Sequence, residues 1–359
     1  MGGTIATVAE LSRRDLSRRD FMVGSAAVAA VFAEPAWLAM TAVPGGDLGR
    51  AGGSRIGMAD VEVLRSVLRN FEVLHRRHGG GLLRAQVVQL LNQQSRRAVE
   101  GSYSDEVGGH LLSALSELAF LAGLITVDTG RHALGHRYYT QALGLAMRAG
   151  DKSSGGNVLA EMSRETIDLS ARATGDDVLD AGQHAAALAR SALYVVGDRA
   201  TPAVSAYIHA IEARGLAVLG DTKGVLRALG EAQRAFERGP AEEPAWLGYY
   251  TEVDLTSDIG QCLRDSGRPR QGLVMLERAL YALPEGRVTS RAKTQIHIAA
   301  AQLALRDFEA ADHVTAAALD SVGGLSSERT VERVRALRRR AGQVGAGRVG
   351  ERITAFLAS

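Results

Sequence analysis

The stretch YTEVDLTSDIGQCLRDSGRPRQGLVMLERALYALP, residues 250–284, decides the fold. Its two apolar segments have helical spacing and are separated by Gly267, which indicates two helices joined by a tight turn. Gly260 lies inside the first helix, where glycine costs about 1 kcal/mol relative to alanine. The second helix carries small and apolar residues at Gly272, Leu276 and Ala279. Gly260 therefore predicts a close approach of the two backbones.

These spacings are those of a tetratricopeptide repeat, a helix–turn–helix unit. The same arrangement occurs in residues 105–149, with Gly123 in the first helix and Tyr139 and Ala142 on the second. Alanines equivalent to Ala279 fall at Ala232 and Ala318, and the intervals correspond to about 39 to 47 residues per unit. The pattern predicts an all-α, tetratricopeptide-like helix–turn–helix solenoid over residues 57–359. Such arrays bind ligands in a groove that the first helix of each pair lines.

Residues 1–56 lack this pattern, and residues 41–57 are rich in glycine and small residues. Ser17-Arg18-Arg19-Asp20-Phe21-Met22 precedes an apolar run at 22–33, which is the layout of a twin-arginine export signal. The duplicated Leu-Ser-Arg-Arg-Asp, at 11–15 and 16–20, fits a charged linker equally well. We therefore expect residues 1–56 to be a poorly ordered linker or twin-arginine-like segment.

Composition excludes some classes of protein. The 42 basic and 40 acidic residues leave a net charge of +2, so no overall field favours nucleic acid or an anionic membrane. The single cysteine, Cys262, excludes an intramolecular disulfide and leaves too few thiolates for a structural zinc site. We expect Cys262 to be a small buried helix residue.

Motifs that would indicate catalysis or a cofactor are missing from the sequence. His132 and His136 have the spacing of two zinc ligands on one helix face, but no third ligand is nearby, which favours a solvated or hydrogen-bonded pair. The glycine-rich segments 79–81, 108–109 and 155–156 lack the Lys-Ser/Thr ending of a phosphate loop, which indicates turns or helix breaks. We expect no metal, no cofactor and no enzymatic activity.

Aromatic residues are scarce, at 5% of the chain, yet three of them fall in residues 242–250. If Trp246, Tyr249 and Tyr250 lie at the groove, they are flat anchors of the type enriched at binding hot spots. Alternatively, this segment is a loop that packs Trp246 onto the array.

Arginines dominate the last two predicted helices, 327–341 and 346–358. A terminal repeat needs a polar outer face, which favours a solvated capping helix. A nucleic-acid patch is the weaker alternative.

The segments Leu118-Ala119-Phe120-Leu121-Ala122-Gly123, Arg137-Tyr138-Tyr139-Thr140-Gln141-Ala142-Leu143-Gly144-Leu145-Ala146 and Leu159-Ala160-Glu161-Met162-Ser163 carry a family resemblance. They resemble the C-terminal region of actinobacterial transcriptional regulators with tetratricopeptide-like repeats, and the resemblance extends from about Gly57 to the C-terminus. In that family an N-terminal helix-turn-helix domain usually precedes the repeats. Residues 1–56 show no three-helix pattern with a recognition helix, so direct DNA binding stays open.

The resemblance implies a cytoplasmic regulatory protein that modulates transcription of development or secondary metabolism. Its array is expected to sense a protein or peptide partner or a small-molecule effector. The family also gives Arg18-Arg19-Asp20-Phe21 a role as a connector, which favours the cytoplasm over export. Two alternatives remain, a protein-interaction scaffold without a small ligand and an exported binding protein.

Overall fold

The computed structural model describes residues 2–17, 48–51, 53–171 and 176–358. Over these residues the chain is all-α and its helices pack in consecutive pairs, which confirms the predicted fold class. The described helices are α1 (Gly2–Ser17), α2 (Met58–His78), α3 (Arg84–Glu100), α4 (Asp105–Asp128), α5 (His132–Ala149), α6 (Lys152–Ser170), α7 (Asp176–Val196), α8 (Pro202–Val218), α9 (Thr222–Glu237), α10 (Glu252–Asp265), α11 (Pro269–Ala282), α12 (Val288–Ala304), α13 (Phe308–Gly323), α14 (Glu328–Val344) and α15 (Gly347–Ala358).

The same turn joins the helices of four pairs, α4–α5, α8–α9, α10–α11 and α12–α13. After the first helix a residue adopts a positive φ, which favours glycine, and the next amide donates a hydrogen bond to the carbonyl five residues earlier. The positive-φ residues are Gly130, Gly220, Gly267 and Arg306. The matching amide-to-carbonyl bonds are Arg131–Thr126, Asp221–Leu216, Arg268–Leu263 and Asp307–Gln302, at 2.9–3.2 Å. This shared turn fixes the same reversal in each pair.

The chain divides into two compact units. Unit 1 comprises Met1–His75, Gly79–Met162 and Tyr194–Arg199, and unit 2 comprises Arg76–His78, Ser163–Leu193 and Ala200–Ser359. The division passes through α6 and α7.

In unit 1, the pair α4 and α5 packs through small residues. A Cβ atom built on Gly123 would lie 2.7 Å from the Tyr139 ring and 3.1 Å from the Gly135 carbonyl oxygen. The Ser116 hydroxyl donates to the Ala142 carbonyl at 2.7 Å.

Among the described residues, only α4 is long and apolar enough to cross a bilayer, and 78% of its most apolar segment is buried. A core helix passes the same test, so this is weak evidence of a membrane span.

In unit 2, α10 and α11 pack in the same way. A Cβ atom on Gly260 would lie 2.8 Å from Leu276 Cγ and 2.9 Å from the Gly272 carbonyl oxygen. Ala279 and Ala318, which the sequence placed at equivalent positions, are both buried. The predicted close approach of the two backbones is therefore present at Gly260.

The first helix differs from the linker expected over residues 1–56. Ile5 and Val8 of α1 are buried, and the Asp15 carboxylate bonds to both Arg84 and the Tyr138 hydroxyl in unit 1. Residues 5, 8, 12 and 15, which are buried or hydrogen-bonded, have the spacing of one helix face. This short stripe in the sequence indicates a helix rather than a linker. The Arg18-Arg19 motif and residues 19–47 lie outside the described residues.

Gly155 and Gly156 lie inside α6 and Gly108 and Gly109 inside α4, so the expectation of turns or breaks there is wrong. A Cβ atom on Gly155 would lie 2.1 Å from Met147 Cε. Close packing on α5 explains this glycine inside a helix. Gly79, by contrast, has a φ of 81° and ends α2 as a turn residue.

Candidate functional site

Charged side chains converge inside unit 2 from the first helix of five successive pairs. They define what we call the charged cluster: Arg164, Glu165 and Asp168 on α6, Arg214 on α8, Asp258, Arg264 and Asp265 on α10, Lys293 and His297 on α12, and Arg329, Arg333 and Arg340 on α14. Residues three or four positions apart lie on the same face of a helix. Lys293 and His297 on α12 have this spacing, and so do Arg329 and Arg333 on α14.

Asp168 is shared by three guanidinium groups. Its carboxylate oxygens lie 2.9 Å from Arg329 Nε, 2.8 Å from Arg333 Nη2 and 3.4 Å from Arg214 Nη2. Burial alone raises the pKa of Asp168, but the charges of Arg333, then Arg329 and Arg214, outweigh it and hold that pKa well below its usual range. Asp168 is therefore ionised and anchors α14 against α6.

Arg264 organises a second part of the charged cluster. Its Nη1 atom donates to His297 Nδ1 at 2.9 Å, and its Nη2 atom lies 2.7 Å from Asp265 Oδ2. Burial first, and then the charge of Arg264, lowers the pKa of His297 well below its usual range. His297 is thus a neutral ring whose Nδ1 atom accepts, which leaves its proton on Nε2. Asp265 also faces Arg340 at 3.4 Å, at the exposed rim.

Lys293 faces the carboxylate of Asp258. Its Nζ atom is 3.7 Å from Asp258 Oδ1, and 26% of the side chain is exposed. The Tyr250 hydroxyl donates to the other oxygen of Asp258 at 3.1 Å. Burial lowers the pKa of Lys293 to about 8; Asp258 opposes this shift, whereas Arg214, Arg164 and Arg333 add to it.

The charged cluster has an excess of positive charge. It contains seven cationic side chains and four carboxylates, with His297 neutral. The whole chain is nearly balanced, at +2, so this excess is local. The cluster therefore presents a positive potential that an anion would offset.

The three aromatic residues predicted as anchors have different environments. Tyr250 is buried, and its ring lies 5.2 Å from that of Tyr207 in an edge-to-face contact. Trp246 and Tyr249 are half-buried. The centre of the Trp246 ring lies 6.2 Å from that of Tyr207, and the Arg76 guanidinium lies 5.2 Å from the centre of the Tyr249 ring. Tyr250 is thus a packing residue that positions Asp258, and its role as an exposed anchor is corrected. Trp246 and Tyr249 are not fully buried and remain candidate anchors.

The solvated capping role expected for the last arginine-rich helices is wrong for part of α14. Arg329 is buried, and 18% of the Arg333 side chain is exposed. Val334, Leu337 and Ala341 on the same helix are also buried. Because Arg329 and Arg333 face Asp168 inside unit 2, only the remaining arginines of α14 can serve a solvated surface.

The remaining sequence candidates have ordinary environments. His136 is buried with its ring 5.9 Å from that of Tyr139, and Cys262 is buried with Sγ 3.8 Å from the Ala210 carbonyl oxygen. The described residues contain no group of three His, Cys, Asp or Glu side chains that could hold a metal ion. An open depression on unit 1 is lined by acidic residues and His110, but its groups do not converge from several helices as those of the charged cluster do.

The sequence pattern indicated the aromatic segment and the arginines of α14. It did not indicate Asp168, Arg214, Asp258 or Lys293.

A search of protein-family models found no match to this chain, and a search of curated proteins found none either.

Proposed function

We propose that this chain is a regulatory repeat protein that binds a ligand or protein partner and through it modulates transcription. The observation that carries the proposal is the charged cluster, which five successive first helices build in unit 2. Replacing buried ion pairs by apolar residues of similar volume is often neutral or stabilising. A concentration of six buried or half-buried cations, with a seventh, Arg340, at the exposed rim, therefore supports a role beyond folding.

The aromatic residues beside the charged cluster support a binding role. Tyr250 connects the two features, because its hydroxyl bonds Asp258 and its ring packs on Tyr207, which also contacts Trp246. Trp246 and Tyr249 offer flat, half-buried rings next to this packing. Aromatic rings beside desolvated charges are the composition of binding hot spots.

Binding fits these residues better than catalysis. Burial raises the pKa of the Cys262 thiol, which disfavours the nucleophilic thiolate. The His297 Nδ1 atom is occupied by Arg264, and burial keeps the ring neutral. The link to transcription and the cytoplasmic location rest on the sequence resemblance, and direct DNA binding is not part of the proposal.

The test combines transcript profiling with purification from the native host. A strain lacking the chain should show altered transcripts that the wild-type chain restores. The Trp246→Ala, Tyr249→Ala double variant should not restore them, and it should lose a protein or small molecule that co-purifies with the wild type and is identified by mass spectrometry. Unchanged transcripts in the deletion strain would remove the regulatory proposal.

A further inference from the structure

Lys293 has a different environment from the arginines of the charged cluster. Arg329 and Arg333 reach Asp168 at hydrogen-bond distance, and Arg264 does the same with Asp265. The Lys293 Nζ atom lies 3.7 Å from Asp258, beyond a normal hydrogen bond, and no closer carboxylate faces it among the described residues. About a quarter of the Lys293 side chain, 26%, is exposed.

The groups around Lys293 are mainly cationic. Arg164, Arg214 and Arg333 act on it electrostatically, and Asp258 is the one carboxylate among the strongest influences. Asp258 is further shared with the Tyr250 hydroxyl. Charges in a partly desolvated site interact more strongly than in water, so an anion placed here would gain from several cations at once.

We propose that the charged cluster is a binding site for a small-molecule oxyanion, a phosphate or carboxylate group, with Lys293 as its accessible anchor. Arg333 and Arg214 supply the surrounding positive charge. This inference rests on the proposed binding function and names the chemical class of its ligand.

A small oxyanion fits the cluster better than a polyanion does. Nucleic acids and long acidic peptides pair with cations spread over an exposed surface. Here Arg329 and Arg214 are buried, and Lys293 and Arg333 expose 26% and 18% of their side chains. The positive charge around Lys293 is thus mostly buried, with Arg340 exposed at the rim of the charged cluster.

The experiment measures binding of inorganic phosphate and of citrate to the full-length purified chain by calorimetry, with sodium chloride holding ionic strength constant. We expect saturable binding of at least one of the two, and the tighter one shows whether phosphate or carboxylate is preferred. Lys293→Met should weaken that binding at least tenfold. Lys293→Arg, which keeps the charge, should retain it within about threefold.

Lys223→Met is the matched control, because Lys223 is an exposed lysine on α9 of the same unit. It should bind like the wild type, and circular dichroism should show equal helix content in all variants. Equal binding in Lys293→Met and Lys223→Met, or no saturable binding of either anion, overturns the proposal. Binding of only a nucleic acid or an acidic peptide does so too. The regulatory function is tested separately by the transcript profile, so either proposal can fail alone.

Discussion

Arg329 Nε lies 2.9 Å from Asp168 Oδ2, although 161 residues separate them in the chain. Arg333 reaches the same oxygen at 2.8 Å, one helical turn further along α14. The carboxylate on α6 therefore holds α14 inside unit 2.

Asp168→Asn should destabilise the protein, because it leaves three arginines around a neutral amide. Breaking a fully buried pair in this way costs about 3–5 kcal/mol. Since 20% of the Asp168 side chain is exposed, we expect the lower end of that range. Urea unfolding followed by circular dichroism measures the change in the free energy of unfolding.

Glu277→Gln, at an exposed position on α11, is the control and should stay within about 0.5 kcal/mol of the wild type. Equal midpoints for the two variants would contradict the assignment.

The same carboxylate should make stability depend on pH in acid. The pKa of folded Asp168 lies well below 3.8, because the arginine charges outweigh burial. A depressed folded pKa stabilises the protein fully above the unfolded pKa, near 4, and this stabilisation is lost as pH falls through the folded pKa. Between about pH 4 and 2, the wild type should lose stability more steeply than Asp168→Asn. Parallel curves in this window would show that Asp168 is not the group responsible.

Close backbone packing predicts an order of tolerance for glycine substitutions. Gly260→Ala should destabilise by about 1–3 kcal/mol, because the new methyl group would meet the Gly272 backbone and Leu276. Gly155→Ala should cost less, since the obstructing atom is the flexible end of Met147. Gly286→Ala, which has no heavy atom within 4 Å of the new Cβ, should be nearly neutral. Thermal melts of the three variants check the order, and a neutral Gly260→Ala would refute close packing at that pair.

Local signals explain why the fold was predictable. Gly260, Gly267, Gly272 and Ala279 lie within twenty residues of one another, so helix spacing and turn chemistry reveal one pair without tertiary information. Repetition of that pair then predicts the array. Gly155 was misassigned because its pattern is that of a turn, whereas the close contact with Met147 of the preceding helix, which explains a glycine inside α6, is not visible in the sequence.

The charged cluster was not predictable, because its partners come from helices far apart in sequence. Nothing near Arg329 shows that Asp168 will face it, so a solvated helix was the reasonable interpretation of the arginine-rich segment. Tyr250 presents the same difficulty. Its burial depends on Tyr207 of α8 and on Asp258 of α10, and the aromatic segment alone could not separate it from half-buried Trp246 and Tyr249.

Substitution of Tyr250 should affect mainly stability, whereas substitution of Trp246 and Tyr249 should affect mainly binding. Tyr250→Phe removes the hydroxyl that bonds Asp258, and a lost partner of a buried polar group costs about 1–3 kcal/mol. Trp246→Ala with Tyr249→Ala should instead lose partner capture with a smaller change in the melt. Calorimetric melts beside the co-purification assay distinguish the two effects. If the double variant keeps its partner, the exposed rings are not part of the binding surface.

Lys293 should be the most reactive lysine of the three in the chain, the others being Lys152 and Lys223. Burial lowers its pKa to about 8, so about one quarter of the amine is uncharged at pH 7.5, against about 0.1% for an ordinary lysine. Pyridoxal phosphate forms an imine with an uncharged amine and releases water, and borohydride then reduces the imine to a stable amine. Peptide mass spectrometry after brief labelling should show at least about tenfold more modification at Lys293 than at exposed Lys152 or Lys223.

Competition with inorganic phosphate separates the reactivity of this amine from anion binding near it. If the charged cluster holds the phosphate of the reagent, added phosphate at constant ionic strength should slow labelling of Lys293 and leave Lys223 unchanged. Raising the pH from 7 to 8.5 should speed labelling of Lys293 by less than about tenfold, because an amine with a pKa of about 8 is already about one tenth uncharged at pH 7. Equal labelling of all three lysines would contradict the lowered pKa. Selective labelling that phosphate does not slow would keep the lowered pKa and reject the oxyanion site.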